Sequence, residues 1–374
     1  MKGLAVVLDK GGDTFLAGYA DGDFPEEVFP SVTARNGTTP SVRAKGRSNK
    51  VGDDVAEVMG LLKSKRPIQR GIVTDWEAME DLYEYTFSTR MKISLAEHPI
   101  LLSEKPLNPK QDRTNHTELL FETFGACAIQ FGIETTLAVY GANNGSVLIV
   151  SCGEGASCVQ PYEYFFTSKR ATRRYNIGGQ DTTESLRELL SERGVYLSAQ
   201  QADIAKQMKE KHCFVAQDYE QSLTQATQTP ELHETYQLPD GQEVTIGSER
   251  FRCMEGLFQP SLLGMDMPGL AEMVSESLSV CDVHLRAELL RNIVLCGGPT
   301  KAPGFSKRLR EEIQKAFPLL EVKMHGIIHG NCYHPWNGGS MLAGFDSFQP
   351  MWFSKEEYGE SGPLGIWDKK SPAS

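Results

Sequence analysis

The sequence predicts an α/β protein of two lobes, and three observations carry that prediction. Leu4–Gly18 reads as a run of buried-strand residues, a tight turn at Gly11-Gly12-Asp13, and a second strand. Ser146–Val159 repeats the scheme around Gly153-Glu154-Gly155. Between and after these segments, strand and helix patterns alternate, as in α/β architectures. No tandem repeat of 20 to 50 residues is present, so the echo belongs to a long-range duplication.

The elements follow in order. After the first strand pair, Phe29-Pro30-Ser31 leads into a polar, basic stretch from Arg35 to Lys50 that reads as a surface loop, followed by Lys63-Ser-Lys-Arg66, which also reads as solvated. A helical period begins at Trp76 and continues through Met79, Leu82 and Tyr83, with Thr74 or Asp75 placed as N-cap. His98–Ser103 reads as a strand, Pro109–Phe124 as a helix, and Ile129–Tyr140 as a helix delivering the chain to the second strand pair. The second half is richer in helices: Thr182–Glu192, Ala199–His212, Gly269–Ser279 and Gly304–Ala316. A further strand, Asn292–Cys296, runs into a third glycine turn at Gly297-Gly298.

Composition sets limits. The 374 residues suffice for a large core and more than one lobe. With 49 acidic against 38 basic residues the formal charge is −11, which argues against nonspecific nucleic-acid binding. No apolar run reaches the roughly 20 residues that span a bilayer, and the N-terminus lacks a secretory pattern. The eight cysteines include no CxxC pair, and Cys127 and Cys296 sit in apolar runs, so reduced thiols in a cytosolic or nuclear compartment are expected.

The chemistry centres on the turns. Tight glycine turns can aim successive backbone N–H groups at a polyphosphate. Acids at strand ends would hold a metal with oxygen ligands, but the second copy carries Ser151 where the first has Asp9. His325, His329, Cys332 and His334 have no standard zinc spacing and read as loop residues. Cys152 has no identifiable base and reads as a small packed residue, and Met265, Met267 and Met273 read as core.

Several long segments resemble actin. They are Gly247–Gly264 (GSERFRCMEGLFQPSLLG), Met208–Cys213 (MKEKHC), Glu97–Pro109 (EHPILLSEKPLNP) and Ser347–Tyr358 (SFQPMWFSKEEY), and the likeness runs almost end to end. The resemblance implies the fold shared by actin, Hsp70 and sugar kinases, two α/β domains about a nucleotide cleft. It places an outer domain at 1–30, 68–141 and 334–374, with a small peripheral lobe at 31–67. The inner domain is placed at 142–177 and 266–333, with its own lobe at 178–265. ATP or ADP with Mg is the implied cofactor. Its contacts would be Asp9, Lys10, Gly11, Gly153, Glu154, Gly155, Gly179, Lys206, Lys209, Glu210, Gly297 and Gly298, with the metal near Asp9 and Glu154.

The departures from actin fall where the chemistry lies. Leu16 stands for a phosphate-binding lysine, Glu134 for the glutamine that positions the attacking water, Ser151 for an aspartate, and Cys158 for a histidine. Lys10, Gly12 and Asp13 replace Asn, Ser and Gly, while Ala302 and Cys332 replace a tyrosine and a lysine on the adenine side. Lys10 is expected either to compensate for the missing phosphate-binding lysine or to occupy the metal position and pair with Asp9 or Glu154 as a salt bridge in place of the ion. The resemblance implies a divergent actin-like subunit of a cytoskeletal or multi-protein assembly, with weakened nucleotide binding and impaired hydrolysis. Its implied partners are other actin-family or assembly subunits and proteins of the actin-binding kind, without nucleic acid or membrane insertion. The implied setting is the cytoplasmic cytoskeleton, with the nucleus as the other compartment. The alternatives are a polymerising actin-type ATPase and a sugar- or acetate-kinase-like enzyme.

Overall fold

The computed structural model describes residues 3–35, 50–58, 63–142, 145–198, 201–228, 233–238, 241–325, 333–367 and 369. The chain divides into two compact units. The first comprises Met1–Ser146, Tyr162–Lys169 and Ile327–Ser374, the second Val147–Pro161 and Arg170–Gly326.

The first unit is built on a six-stranded sheet in the order Phe353–Ser354, Ala128–Ile133, Ile100–Glu104, Val6–Lys10, Thr14–Tyr19, Glu27–Pro30. Val6–Lys10 pairs antiparallel with Thr14–Tyr19 across the first turn and parallel with Ile100–Glu104, which pairs parallel with Ala128–Ile133. Every residue of Ile100–Glu104 is buried, as expected of a central parallel strand covered on both faces. The register sets Leu8 beside Leu102 and Glu104 beside Ile133. Three C-terminal strand ends, Asp9-Lys10, Glu104-Lys105 and Ile133-Glu134, therefore meet at one edge.

Local signals explain the helix Trp76–Glu84. Asp75 accepts the Ala78 N–H at 3.0 Å, and Ala78, Met79, Leu82 and Tyr83 form the buried face. The sequence expectation of a helix over Ile129–Tyr140 is corrected. Ala128–Ile133 is a strand, and the helix begins at Glu134 and runs to Ala142. Residues 128–133 find their ladder partners in strands remote in sequence, and that pairing outweighs local periodicity.

Helix His334–Gly344 contains poor helix formers. It forms because Gly338 lets it press against helix Glu134–Ala142. A Cβ there would lie 1.7 Å from the Leu137 carbonyl oxygen. Trp336, fully buried, donates its indole N–H to the Val7 carbonyl at 3.0 Å and ties this helix to the first strand. Part of the expected small lobe is a three-stranded antiparallel sheet of Lys50–Val51, Thr33–Arg35 and Lys63–Lys65. Most of the expected basic loop, residues 36–49, lies outside the described residues.

The second unit repeats the sheet scheme. Strand Ser146–Cys152 lies next to Ser157–Glu163 and pairs parallel with Ile293–Cys296, which pairs parallel with Met324–His325. Its core gathers Leu148, Leu186, Leu190, Met208, Leu270, Met273, Leu278, Phe305 and Leu309 around the sheet. Within it Arg308 donates to Glu255 at 2.6 Å, to Glu312 at 2.5 Å and to the Ala216 carbonyl at 2.6 Å. The expected helices appear as Gly179–Glu192, Ala202–His212, Leu270–Ser279 and Phe305–Ala316.

Candidate functional site

The two turns close with the same hydrogen bond. Gly11 N–H donates to the Thr14 carbonyl and Gly153 N–H to the Ala156 carbonyl, each at 3.0 Å. What anchors them differs. In the first turn the Gly11 carbonyl accepts from the Ser31 hydroxyl at 2.7 Å, the Asp13 carbonyl accepts the Ser31 N–H at 2.7 Å, and the Arg66 guanidinium reaches the Gly12 carbonyl at 3.4 Å. In the second turn the anchor is a helix: Gly179 N–H donates to the Gly153 carbonyl at 3.0 Å and Gln180 N–H to the Glu154 carbonyl at 2.8 Å. A trans peptide points its N–H opposite to the preceding C=O. With their carbonyls held from behind, the first turn directs the Gly12 N–H the other way, and the second turn does the same with those of Glu154 and Gly155; each by itself is a turn of the kind that can face an anion.

The charges of the first unit are not arranged as the sequence suggested. Lys10 was expected to pair with Asp9 or Glu154. Its ammonium instead lies 3.8 Å from Asp112, on helix Lys110–Glu118, with both side chains almost fully buried. Asp112 also accepts from the Val73 N–H at 3.2 Å and from Asn108 at 2.6 Å. Asp13 is held by Arg66 at 2.9 Å, so the basic stretch read as solvated supplies a counter-ion to the first turn.

Asp9 accepts from the Ser103 hydroxyl, which in turn accepts the Lys10 N–H at 3.2 Å. Surrounding protein desolvates Asp9 and pushes its carboxyl above the ordinary range. The Ser103 bond opposes this, nearby Glu134 adds to it, and Lys105 followed by Lys10 draws it back. Glu134 itself is buried and paired with Lys105 at 2.6 Å. Leu16 sits in an apolar cluster with Val7, Leu101, Leu137 and Trp336 and brings no charge to the turn.

The second unit gathers most of the remaining site residues. Gly297, at φ 92°, follows strand Ile293–Cys296, and a Cβ there would lie 2.0 Å from the Cys152 carbonyl oxygen. Only glycine permits that approach. Gly298 is exposed just beyond it, and Pro299 and the Glu154 carboxylate both lie against Gly179. Lys209 is buried and spends its protons on the Gly179 carbonyl at 2.6 Å, Thr183 at 2.7 Å and Thr182 at 3.1 Å. It braces the helix start that anchors the second turn. Lys206 and Glu210 lie 3.8 Å apart on the same helix as Lys209, and the Glu210 side chain is exposed.

A family model described as Actin matches residues 2–371 of the chain. The chain belongs to the actin family. Its two sheet-based units carry the actin fold, and the resemblance read from GSERFRCMEGLFQPSLLG and the other long segments is borne out. Members of this family typically bind nucleotide with Mg, and in each unit of this actin-family chain the glycine turn, taken by itself, has the backbone form that suits a phosphate group. The acids near the first turn suit a divalent cation poorly, because Asp9 is engaged by Ser103 and Glu134 by Lys105.

Ser103, Lys105, Asp112 and Arg66 were absent from the sequence-derived set. Ser103 and Lys105 lie inside the EHPILLSEKPLNP segment, but only strand pairing shows that they face Asp9 and Glu134. Cys152 is fully buried and accepts from the Ser157 hydroxyl at 3.3 Å, and Met273 is core. Of the histidine-rich stretch, His329 and Cys332 lie outside the described residues, and His325 meets the Arg291 carbonyl at 3.0 Å. Among the described residues no three His, Cys, Asp or Glu side chains gather as metal ligands, and no helix is long and apolar enough to cross a membrane.

Proposed function

We propose that this actin-family chain is a structural and interaction subunit of a cytoskeletal or multi-protein assembly, binding nucleotide weakly and turning it over poorly. The observation that supports this most is the Lys105–Glu134 ion pair at 2.6 Å. The residue standing where the family positions its attacking water is a carboxylate, already engaged by an ammonium and short of freedom to orient water or accept a proton. Leu16 in the core and Ser151 at the second strand end favour the same reading, since phosphate charge and metal each lose a ligand.

When bound, Mg-nucleotide supplies the electrophilic phosphorus and the charge for the metal to offset. In the first unit the chain's own part is to present the Gly12 amide and hold Asp13 on Arg66; in the second it is to present the Glu154 and Gly155 amides and brace Gly179 through Lys209. The partners proposed are other actin-family or assembly subunits and proteins of the actin-binding kind, in the cytoplasmic cytoskeleton or the nucleus.

Phosphate release measured beside conventional actin, under matched polymerising conditions, tests the reading. Turnover well below actin's is expected, and equal rates overturn it. Denaturing the purified protein and chromatographing what is released reports the nucleotide it carries, with less than one per chain expected.

A further inference from the structure

The edge of the first sheet holds three strand ends side by side. Ile100–Glu104 lies between Val6–Lys10 and Ala128–Ile133, so Lys105 emerges between a strand end bearing Asp9 and one leading into Glu134. The sheet thus sets a lysine between two acids at the place where parallel-sheet proteins collect their ligands. Lys105 contacts Glu134 at 2.6 Å, and their side chains are 17% and 9% exposed. Asp9 lies beside Ser103 on the neighbouring strand and accepts its hydroxyl, two residues before Lys105. Lys10 is turned away to Asp112.

We propose that Lys105 is a built-in counter-ion to Asp9 and Glu134, so that this pair of acids at the edge of the actin-type sheet needs no divalent cation. Two carboxylates near one another and short of solvent require a positive charge. The ammonium is covalently attached and already in place, whereas a metal ion would have to displace it from Glu134 and compete with Ser103 for Asp9. Lys105 is here a positioning residue for the two acids. The proposal does not depend on nucleotide being bound.

Thermal melts of the full chain without nucleotide, in Mg²⁺ alone and in chelator, provide the test. The wild-type midpoint is expected to be the same in both. Lys105→Ala should melt lower in chelator and recover by about 3 °C or more when Mg²⁺ is added, because the cation then binds the folded state. Adding Glu134→Gln to Lys105→Ala should abolish the recovery, and Lys105→Arg should behave as wild type. A purely structural lysine would lower the midpoint without creating a response to Mg²⁺. Should Lys105→Ala fail to fold, Lys105→Gln keeps a polar side chain and is read in the same way. A wild-type melt raised by Mg²⁺, or Lys105→Ala and Lys105→Gln variants unresponsive to it, overturns the proposal. If phosphate release matches that of conventional actin while these melts behave as expected, the weak-turnover reading fails and the counter-ion stands.

Discussion

Replacing Lys10 by alanine should cost the first unit about 3 kcal/mol, and the structure supplies the arithmetic. Lys10 and Asp112 lie 3.8 Å apart with side chains 3% and 2% exposed. At an effective dielectric near 20 their attraction is about 4 kcal/mol, and removing one partner of a buried pair costs about 3–5 kcal/mol. The Val73 N–H at 3.2 Å and Asn108 at 2.6 Å still solvate the Asp112 carboxylate, which places the loss at the lower end. For a unit of this size that corresponds to a fall in midpoint of about 6–12 °C. The chain's four tryptophans, Trp76, Trp336, Trp352 and Trp367, all lie in the first unit, so urea denaturation followed by tryptophan fluorescence reports on that unit. Asp112→Asn in the Lys10→Ala background should recover much of the loss, because the stranded charge is gone. A Lys10→Ala loss under about 1 kcal/mol, or no recovery in the double variant, would refute the account and return Lys10 to the role of a ligand contact.

Three further outcomes are expected. Burial, and after it Lys10, holds His116 well below its usual value of 6.5, while its ring meets Tyr83 at 2.9 Å. The unfolded chain therefore binds the proton first, so stability present above pH 6.5 is lost as the pH falls, by up to about 1.4 kcal/mol per pH unit. Asp9, with its carboxyl raised, acts in the opposite sense, so His116→Asn compared with wild type isolates the histidine as a flatter acid limb in urea titrations. Gly338→Ala should destabilise by about 1–3 kcal/mol in urea melts, although alanine is the better helix former, because its Cβ meets the Leu137 carbonyl. Arg308→Met strands Glu255, which has no exposed surface, and should cost the second unit about 3–5 kcal/mol by calorimetry; Arg308→Met with Glu255→Gln should recover part of it.

The sequence by itself determined the α/β class, the pair of glycine turns, the actin resemblance and the absence of a lysine at Leu16, because each is written in contiguous residues. Asp75 as a cap and Met79, Leu82 and Tyr83 as a buried face were equally legible, since capping and helical period act within a few residues. The tertiary structure decided which charge meets which. Lys105 reaches Glu134, Arg66 reaches Asp13 and Lys10 reaches Asp112 only because the sheet register and the helices packed on it align segments tens of residues apart. Along the chain Lys10 was the cation assigned to Asp9 or Glu154, whereas folding gave Asp13 and Glu134 cations of their own. The strand at Ala128–Ile133 and the helix through Gly338 were hidden for the same reason: a ladder partner and a close-packed neighbour are properties of distant residues, and no local pattern encodes them.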